Sequence, residues 1–458
     1  MQHKRSSSTL FKRLPLGLMV SLAFAGASQA QSLVDMYEMA KTYDAGYQSA
    51  KSQYLANQAK ADQGKSALLP TVNLGGSATQ SDRSQDPRTY FDPVAKTANS
   101  NYNYSTQTAG INATQPLYRP ANLATYRQSQ KGLELAEAAM SQAEQDLIVR
   151  VSQAYFDVLS AQDSLAFVQA QKAAVAEQLA SAKRNFEVGT ATITDTREAQ
   201  ARFDLATAQE IAADNELRTR RLALEQLVGR ADLKPLGLKP ATALPLPGEG
   251  IESWVEKTEQ SPSVRKARLA HEIAKLETRR TQAGHLPTVD LQGQLASTNN
   301  RGSGALSAGG AGTTTSNSIG VTVRMPLYTG DAIQNQVREA LALEEKSRND
   351  LEAARRGVAQ ATRQLFLGVQ SGAAQVKALE AAETSSRLAL DATKLGYKVG
   401  VRVNLDVLNA QTQLYSTQRD LARARYEVLL NSLRLRQAAG TLNPADIDAV
   451  SALLGTSR

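Results

Sequence analysis

Ser318-Ile319-Gly320-Val321-Thr322-Val323-Arg324 alternates aliphatic and polar residues without a break, as does Val289-Asp290-Leu291-Gln292-Gly293-Gln294-Leu295. Successive side chains of a strand point to opposite faces, so each stretch predicts a strand with one aliphatic and one polar face. Thr71 to Thr79 and Thr106 to Ala113 carry weaker versions of the pattern. Taken singly, each fits a half-buried sandwich strand equally well. As a set they suit apolar-out, polar-in strands of a water-filled membrane barrel. The stretches 80–104 and 298–317 between them are rich in Gly, Ser, Thr and Asn and predict surface loops. Tyr90, Phe91, Tyr102 and Tyr104 fall near one rim, and Tyr118 and Tyr328 near the other, as aromatic girdles would.

Four strands cannot close a barrel, and lipid tolerates no open sheet edge, because each unpaired backbone group there costs several kcal/mol. Closed barrels begin near about eight strands. Two copies would make about eight, whose interior side chains fill. Polar inward positions and a long helical extension favour an open lumen and therefore three copies.

The pattern is written twice. Leu69-Pro70-Thr71-Val72-Asn73-Leu74 recurs as Leu286-Pro287-Thr288-Val289-Asp290-Leu291, and Gln115-Pro116-Leu117-Tyr118 as Met325-Pro326-Leu327-Tyr328. Phe186-Glu187-Val188-Gly189 recurs as Tyr397-Lys398-Val399-Gly400, with Asp195 matching Asp406 and Gly229 matching Gly440. Copies this long indicate a duplicated domain rather than a solenoid. Around the strands the sequence predicts helices over 33–67, 120–186 and 195–229, then 251–284, 331–397 and 405–439. Ala136, Met140, Ala143, Leu147, Val151, Ala154 and Val158 recur at spacings of three and four, a coiled-coil seam. A helix over 120–186 would be about 100 Å long, too long for a compact globule to enclose.

Composition narrows the chemistry. The 458 residues include 52 Lys+Arg, 44 Asp+Glu, 3 His and no Cys. That excludes disulfides, thiol catalysis and Cys-ligated metals, and leaves little for a His-rich metal site. Lys4, Arg5, Lys12 and Arg13 precede the apolar stretch Leu14 to Ala27, and Ser28-Gln29-Ala30 fits a small-x-small cleavage site. Residues 1–30 therefore read as a cleavable secretory signal. Its removal leaves 48 basic residues against 44 acidic ones, so the formal charge falls from +8 to +4. With export, this weakens any nucleic-acid reading of the basic pI. The expected organisation is a signal peptide, 1–30; a first repeat, 31–229, with tip 187–195; a Pro-rich equatorial linker, 230–250; a second repeat, 251–440, with tip 398–406; and a tail, 441–458, carrying one small helix. Trp254 is expected to pack in a belt at mid-height.

The stretch Gly396-Tyr397-Lys398-Val399-Gly400-Val401-Arg402-Val403-Asn404-Leu405-Asp406-Val407-Leu408-Asn409-Ala410-Gln411 resembles the tip segment of TolC-type outer-membrane channels. Gly284-His285-Leu286-Pro287-Thr288-Val289-Asp290-Leu291 and Leu435-Arg436-Gln437-Ala438-Ala439-Gly440-Thr441-Leu442 are similar to that family too. The likeness covers nearly the whole mature chain. It implies an α + β membrane protein: a homotrimer with a 12-stranded outer-membrane β-barrel continued by a 12-helix periplasmic tunnel. It also implies a Gram-negative outer membrane as the location. The implied partners are a periplasmic adaptor and an inner-membrane transporter of RND, ABC or MFS type. The implied task is export of drugs or of polypeptides, through efflux or type I secretion. In such channels Arg and Tyr at the second tip, here Arg402 and Tyr397, bond a Thr-Asp pair at the first, here Thr194 and Asp195, and hold the pore shut. Helix capping is the competing role for Asp195 and Asp406. The family also places two carboxylates on the wall above the tip. Asp406 matches the first; Asn409 stands at the second and departs from the pattern. Gly189 and Gly400 mark the turns an adaptor would touch.

Other motifs fail. Gly64-Lys65-Ser66 lacks the first Gly of a phosphate loop, since Ala59 stands there, and His271-Glu272 meets Lys275 where a zincin needs its second His. Glycines 302 to 312 read as a loop tip, and His285 as a residue of the helix-to-strand turn. No catalytic residue, cofactor or metal is expected. A periplasmic coiled-coil adaptor or spacer without a barrel is the alternative. It accounts for the helices but not for the strands. A surface adhesin binding through the loops is a third reading.

Overall fold

The computed structural model describes residues 31–85, 100–239, 244–302 and 312–455. The expected signal peptide, Tyr90 and Phe91 lie outside these residues. The chain runs α1 (Leu33–Tyr43), α2 (Ala45–Ser66), β1 (Thr71–Gln85), β2 (Ser100–Tyr118), α3 (Pro120–Glu187) and α4 (Ile193–Val228). The second copy follows as α5 (Ile251–Lys257), α6 (Pro262–Gln282), β3 (Thr288–Gly302), β4 (Gly312–Arg324), α7 (Ala332–Lys398) and α8 (Asn404–Ala438), and α9 (Pro444–Ser451) closes the chain.

Both helices expected before the strands are broken, and at equivalent places. The stretch 33–67 divides at Asp44, whose Oδ1 accepts the Tyr47 N–H at 2.7 Å and caps α2. The stretch 251–284 divides at Ser261, whose Oγ accepts the Val264 N–H at 3.3 Å ahead of Pro262. A capping side chain ends one helix and starts the next, and Pro at the first helical position reinforces the second break.

The four strands form one antiparallel sheet in the order β1-β2-β3-β4. They are longer than expected. The ranges 80–104 and 298–317, expected as loops, are strand up to Gln85 and Gly302 and again from Ser100 and Gly312. Ser, Thr, Asn and Gln occupy both faces there, so no alternation marks them as strand. Register aligns Val72 with Ala113, and Gly293 with Ile319; Ala113 in turn pairs with Gly293. Leu74, Ile111 and Leu295 form the next row, and Leu291 and Val321 lie on the same face. This face is aliphatic and open: Leu74 is 81% exposed and Ile319 80%. Its reverse carries Asn73, Asn112, Gln294 and Ser318 in one row. A shift between Pro116 and Tyr118 pairs Tyr118 with Val289 and turns it onto the aliphatic face. Tyr104 pairs with Ser81 and lies on the polar face, contrary to the girdle expected there.

Helices α3 and α7 span 68 and 67 residues. Helices α2 and α4 pack along one flank of α3, and α6 and α8 lie in succession between α3 and α7. The predicted seam of α3 is inward-facing: Ala136, Leu147, Val151 and Val158 are buried. The main core lies at mid-height, where Leu33, Met36 and Tyr37 of α1 meet Ile148 and Tyr155 of α3, Leu429 and Leu433 of α8, and Ile447 of α9. The Tyr155 hydroxyl donates to the Leu236 carbonyl at 2.9 Å, and the Gln145 amide to that of Leu442 at 3.0 Å. Linker and tail are thereby tied to α3. Trp254 packs against a second cluster containing Val369 and Val376 of α7 and Leu421 and Val428 of α8, with the Lys257 ammonium 5.1 Å from its ring centre.

Candidate functional site: the two helix-hairpin tips

Each long helix ends on the same turn. Gly189 and Gly400 have φ of +78° and +80°, a left-handed conformation that glycine adopts without strain. Thr190 N–H donates to the Asn185 carbonyl at 2.8 Å, and its counterpart Val401 N–H to that of Gly396 at 2.9 Å. These bonds satisfy the last carbonyls of α3 and α7. Gly396 also clears a path for a side chain: a Cβ there would stand 2.7 Å from Arg402 Cγ.

The returning helices start differently. Thr192 and Asp195 form a reciprocal cap: Asp195 N–H donates to Thr192 Oγ1 at 3.2 Å, and Thr192 N–H to Asp195 Oδ2 at 3.0 Å. In the second tip Val403 replaces the Thr and offers no oxygen, so only the return bond from Val403 N–H to Asp406 Oδ2 remains, at 3.4 Å. Asp406 also faces Arg402 Nη1 at 3.7 Å. Both aspartates therefore serve as N-terminal caps, where the helix dipole favours a carboxylate.

The tips touch through amides that the sequence reading did not single out. Asn404 is almost fully buried; its amide donates to the Asp195 carbonyl at 3.4 Å, and its oxygen accepts from Gln178. The Asn185 amide donates to the Tyr397 hydroxyl at 3.2 Å. Arg202 Nη2 donates to Asn409 Oδ1 at 3.0 Å, which places a guanidinium beside the residue that departs from the family pattern. Of the expected gate residues, Tyr397 thus reaches the first hairpin but through Asn185. Arg402 turns back to Asp406, Asp195 is held by Thr192, and Thr194 is exposed. Among the described residues, no hydrogen bond or ion pair joins Thr194 or Asp195 to the side chains of Tyr397 or Arg402 within the chain. Asn404 stood inside the segment that carried the resemblance. Asn185 offered no signal, because its equivalent in the second copy is Gly396.

The tips can hold the two hairpins together through a few neutral hydrogen bonds and solvated charges. Each such contact contributes about 0.5–1.5 kcal/mol, so the set is readily opened. Among the described residues no helix is long and apolar enough to cross a membrane, and no group of three or more His, Asp or Glu residues is placed to hold a metal ion.

The sequence profile of the outer membrane efflux protein family matches residues 36–230 and 255–441, that is, both repeats. The outer membrane protein TolC of Vibrio cholerae serotype O1 is 34% identical over 98% of this chain and 99% of its own length. The alkaline protease secretion protein AprF of Pseudomonas aeruginosa is 32% identical over 92% of this chain and 87% of its own. The outer membrane protein VceC of Vibrio cholerae has the same fold, with a TM-score of 0.75 and 19% identity over 89% of this chain and 96% of that one. A duplicated strand–strand–helical-hairpin unit, matched by family and relatives along nearly its whole length, places this chain in the outer membrane efflux protein family.

Proposed function

We propose that three copies of this chain form the outer-membrane exit channel of a tripartite efflux pump or a type I protein secretion system. The barrel of twelve strands spans the lipid and the twelve-helix tunnel reaches across the periplasm. The observation that carries this reading is that the chain is unfinished on both sides. Among the described residues β1 and β4 each leave one edge unpaired, and the columns beneath them expose apolar residues on α4 and α7, including Ile211, Leu222, Leu388 and Leu395. Lipid forbids an open edge, so further copies must supply the missing partners. The open aliphatic face of the sheet suits lipid, and its polar reverse suits a wet lumen. Three copies, rather than two, keep that lumen open.

The relatives include a protein named for alkaline protease secretion and others named TolC. This supports an exit duct that serves a periplasmic adaptor and an inner-membrane transporter of RND, ABC or MFS type. The hairpin tips, turned at Gly189 and Gly400, are the end an adaptor would engage. Tip closure rests on contacts between neighbouring copies, with Arg402 and Tyr397 of one facing Thr194 and Asp195 of the next. Residues 1–30 direct export and are removed.

Two measurements test this. The mature protein extracted in detergent should run as a heat-modifiable trimer from the outer-membrane fraction. A monomer soluble without detergent would fit the spacer reading and sink this one. A deletion strain should become drug-sensitive or lose secreted proteins, and the phenotype identifies the system served.

A further inference from the structure

We infer that a ring of guanidinium groups lies on the lumenal wall where the barrel meets the helical tunnel, and that it binds carboxylates of passing cargo. The inference rests on the barrel reading above. Register assigns the polar face residue by residue. Thr71, Asn73, Ser77 and Thr79 of β1 share it with Thr114, Asn112, Thr108 and Thr106 of β2. Gln292, Gln294, Thr298 and Asn300 of β3, with Thr322, Ser318, Ser316 and Thr314 of β4, complete it. From Thr71 to Ser81 and across its partners this band carries no charge; Arg83 lies on the same face at the end away from the helices. At its helical end the character changes. Asp290 pairs with Thr322, and Arg324 pairs with Thr288, so Asp290 and Arg324 are diagonal neighbours on the polar face.

Asp290 is paired with Arg119 and not, within bonding distance, with Arg324. Its carboxylate is buried and taken up by Arg119, which donates from Nε at 2.7 Å and from Nη2 at 2.5 Å. The fork geometry leaves little acceptor capacity over. Arg324 is exposed and, among the described residues, has no ion pair within bonding distance. Each copy therefore contributes two cations and one anion, a net positive charge. Threefold repetition would set several guanidinium groups around one opening, with a neutral wall between them and Arg83 near the barrel mouth. A low-dielectric wall focuses such a field, and the planar fork of Arg suits carboxylates. A segment of polypeptide bearing several carboxylates would engage more than one copy at once; a single free carboxylate would not.

The ring is reached from the barrel mouth without passing the tips, which gives a clean test. Full-length protein is reconstituted in planar bilayers, and hexaglutamate, free glutamate or hexalysine is added on the barrel side. Hexaglutamate should interrupt the current, while glutamate and hexalysine should not. Arg324→Gln, an exposed site that loses no bond, should raise the hexaglutamate concentration for half-block by about tenfold. Arg324→Glu should abolish the block. Conducting channels whose hexaglutamate block is unchanged in Arg324→Gln would overturn the ring while leaving the channel intact. Absence of conductance steps from every variant would overturn the channel reading and the ring with it.

Discussion

Asn404, 1% exposed at the start of the last long helix, donates its amide to the main-chain carbonyl of Asp195 in the other hairpin, 3.4 Å away. One buried amide thus bridges the two copies of the repeat at the end farthest from the sheet. Asn404→Ala leaves that carbonyl and the Gln178 amide without their partner, which costs about 1–3 kcal/mol locally. Amide hydrogen exchange over 193–200 should accelerate about tenfold or more, while exchange in the mid-height core stays unchanged. Equal protection in both proteins would show that the amide does not hold the tips together.

The proposed lock between neighbouring copies predicts a leaky pore in the double variant Arg402→Ala/Asp195→Ala. Solvated ion pairs contribute about 0–1 kcal/mol each, but threefold repetition multiplies them. Single-channel conductance should rise several-fold, and an unchanged value would remove the lock. Thr192→Val separates the competing role: it removes the oxygen that accepts the Asp195 N–H, and should loosen the start of α4 without matching the conductance gain.

Of the two wall positions expected above the tip, Asp406 carries a carboxylate, while Asn409 carries an amide that accepts from Arg202. Block by a trivalent cation added on the tip side should be weak and should vanish in Asp406→Asn. Asn409→Asp should strengthen it about tenfold by adding a second charged ring. Block that is insensitive to both substitutions would mean that neither residue lines the conducting path.

Left-handed glycines recur in two equivalent pairs, Gly189 with Gly400 and Gly229 with Gly440, and the surroundings of the two pairs differ. At Gly400 a Cβ meets open space, whereas at Gly440 it would stand 2.4 Å from the Ser261 backbone. Gly400→Ala should therefore cost only backbone strain, about 1–2 kcal/mol. Gly440→Ala should cost more than that, because the backbone beside it cannot yield. Denaturant midpoints of the detergent-solubilised protein provide the comparison; equal losses would contradict it.

At mid-height Asp146 lines a cleft of about 450 Å³ together with Arg150, and Asp44, paired with that arginine, answers pH in the opposite sense. The Arg150 guanidinium, 2.9 Å from Asp44, holds the Asp44 carboxyl below its usual range. Its contribution is present above the unfolded value and is lost as pH falls through the lower folded one. Burial pushes the Asp146 carboxyl up, against the Gln437 amide that donates to it at 2.7 Å. The charged form costs stability above the folded value, and that cost is relieved as pH falls through it. Asp146→Asn should thus stabilise the protein at neutral pH and change little in mild acid. Asp44→Asn should destabilise it at neutral pH, with the difference from wild type shrinking toward strong acid. Stability measured from pH 7 to pH 3 checks both signs.

Much of this was readable in the chain. The duplication, the long helices and the alternation at 289–295 and 318–324 follow from local periodicity. The extra strand at 80–85, 100–105, 298–302 and 312–317 was not readable, because polar residues on both faces erase the period that marks a strand. The helix break at Ser261-Pro262 did carry a signal, a capping residue followed by proline, which the long apolar pattern outweighed. The offset of 217 residues that links Leu69 to Leu286 also links Asp44 to Ser261.

Sequence alone determined the order of elements, their duplication and the insufficiency of four strands, since each depends on neighbours a few residues apart or on a simple count. Tertiary structure alone decided which side chains meet. Asn185 and Tyr397, Asn404 and Asp195, and Arg119 and Asp290 are each separated by more than a hundred residues. Their encounter depends on helix packing and strand register, and a shift of one residue in that register would send Asp290 to the opposite face.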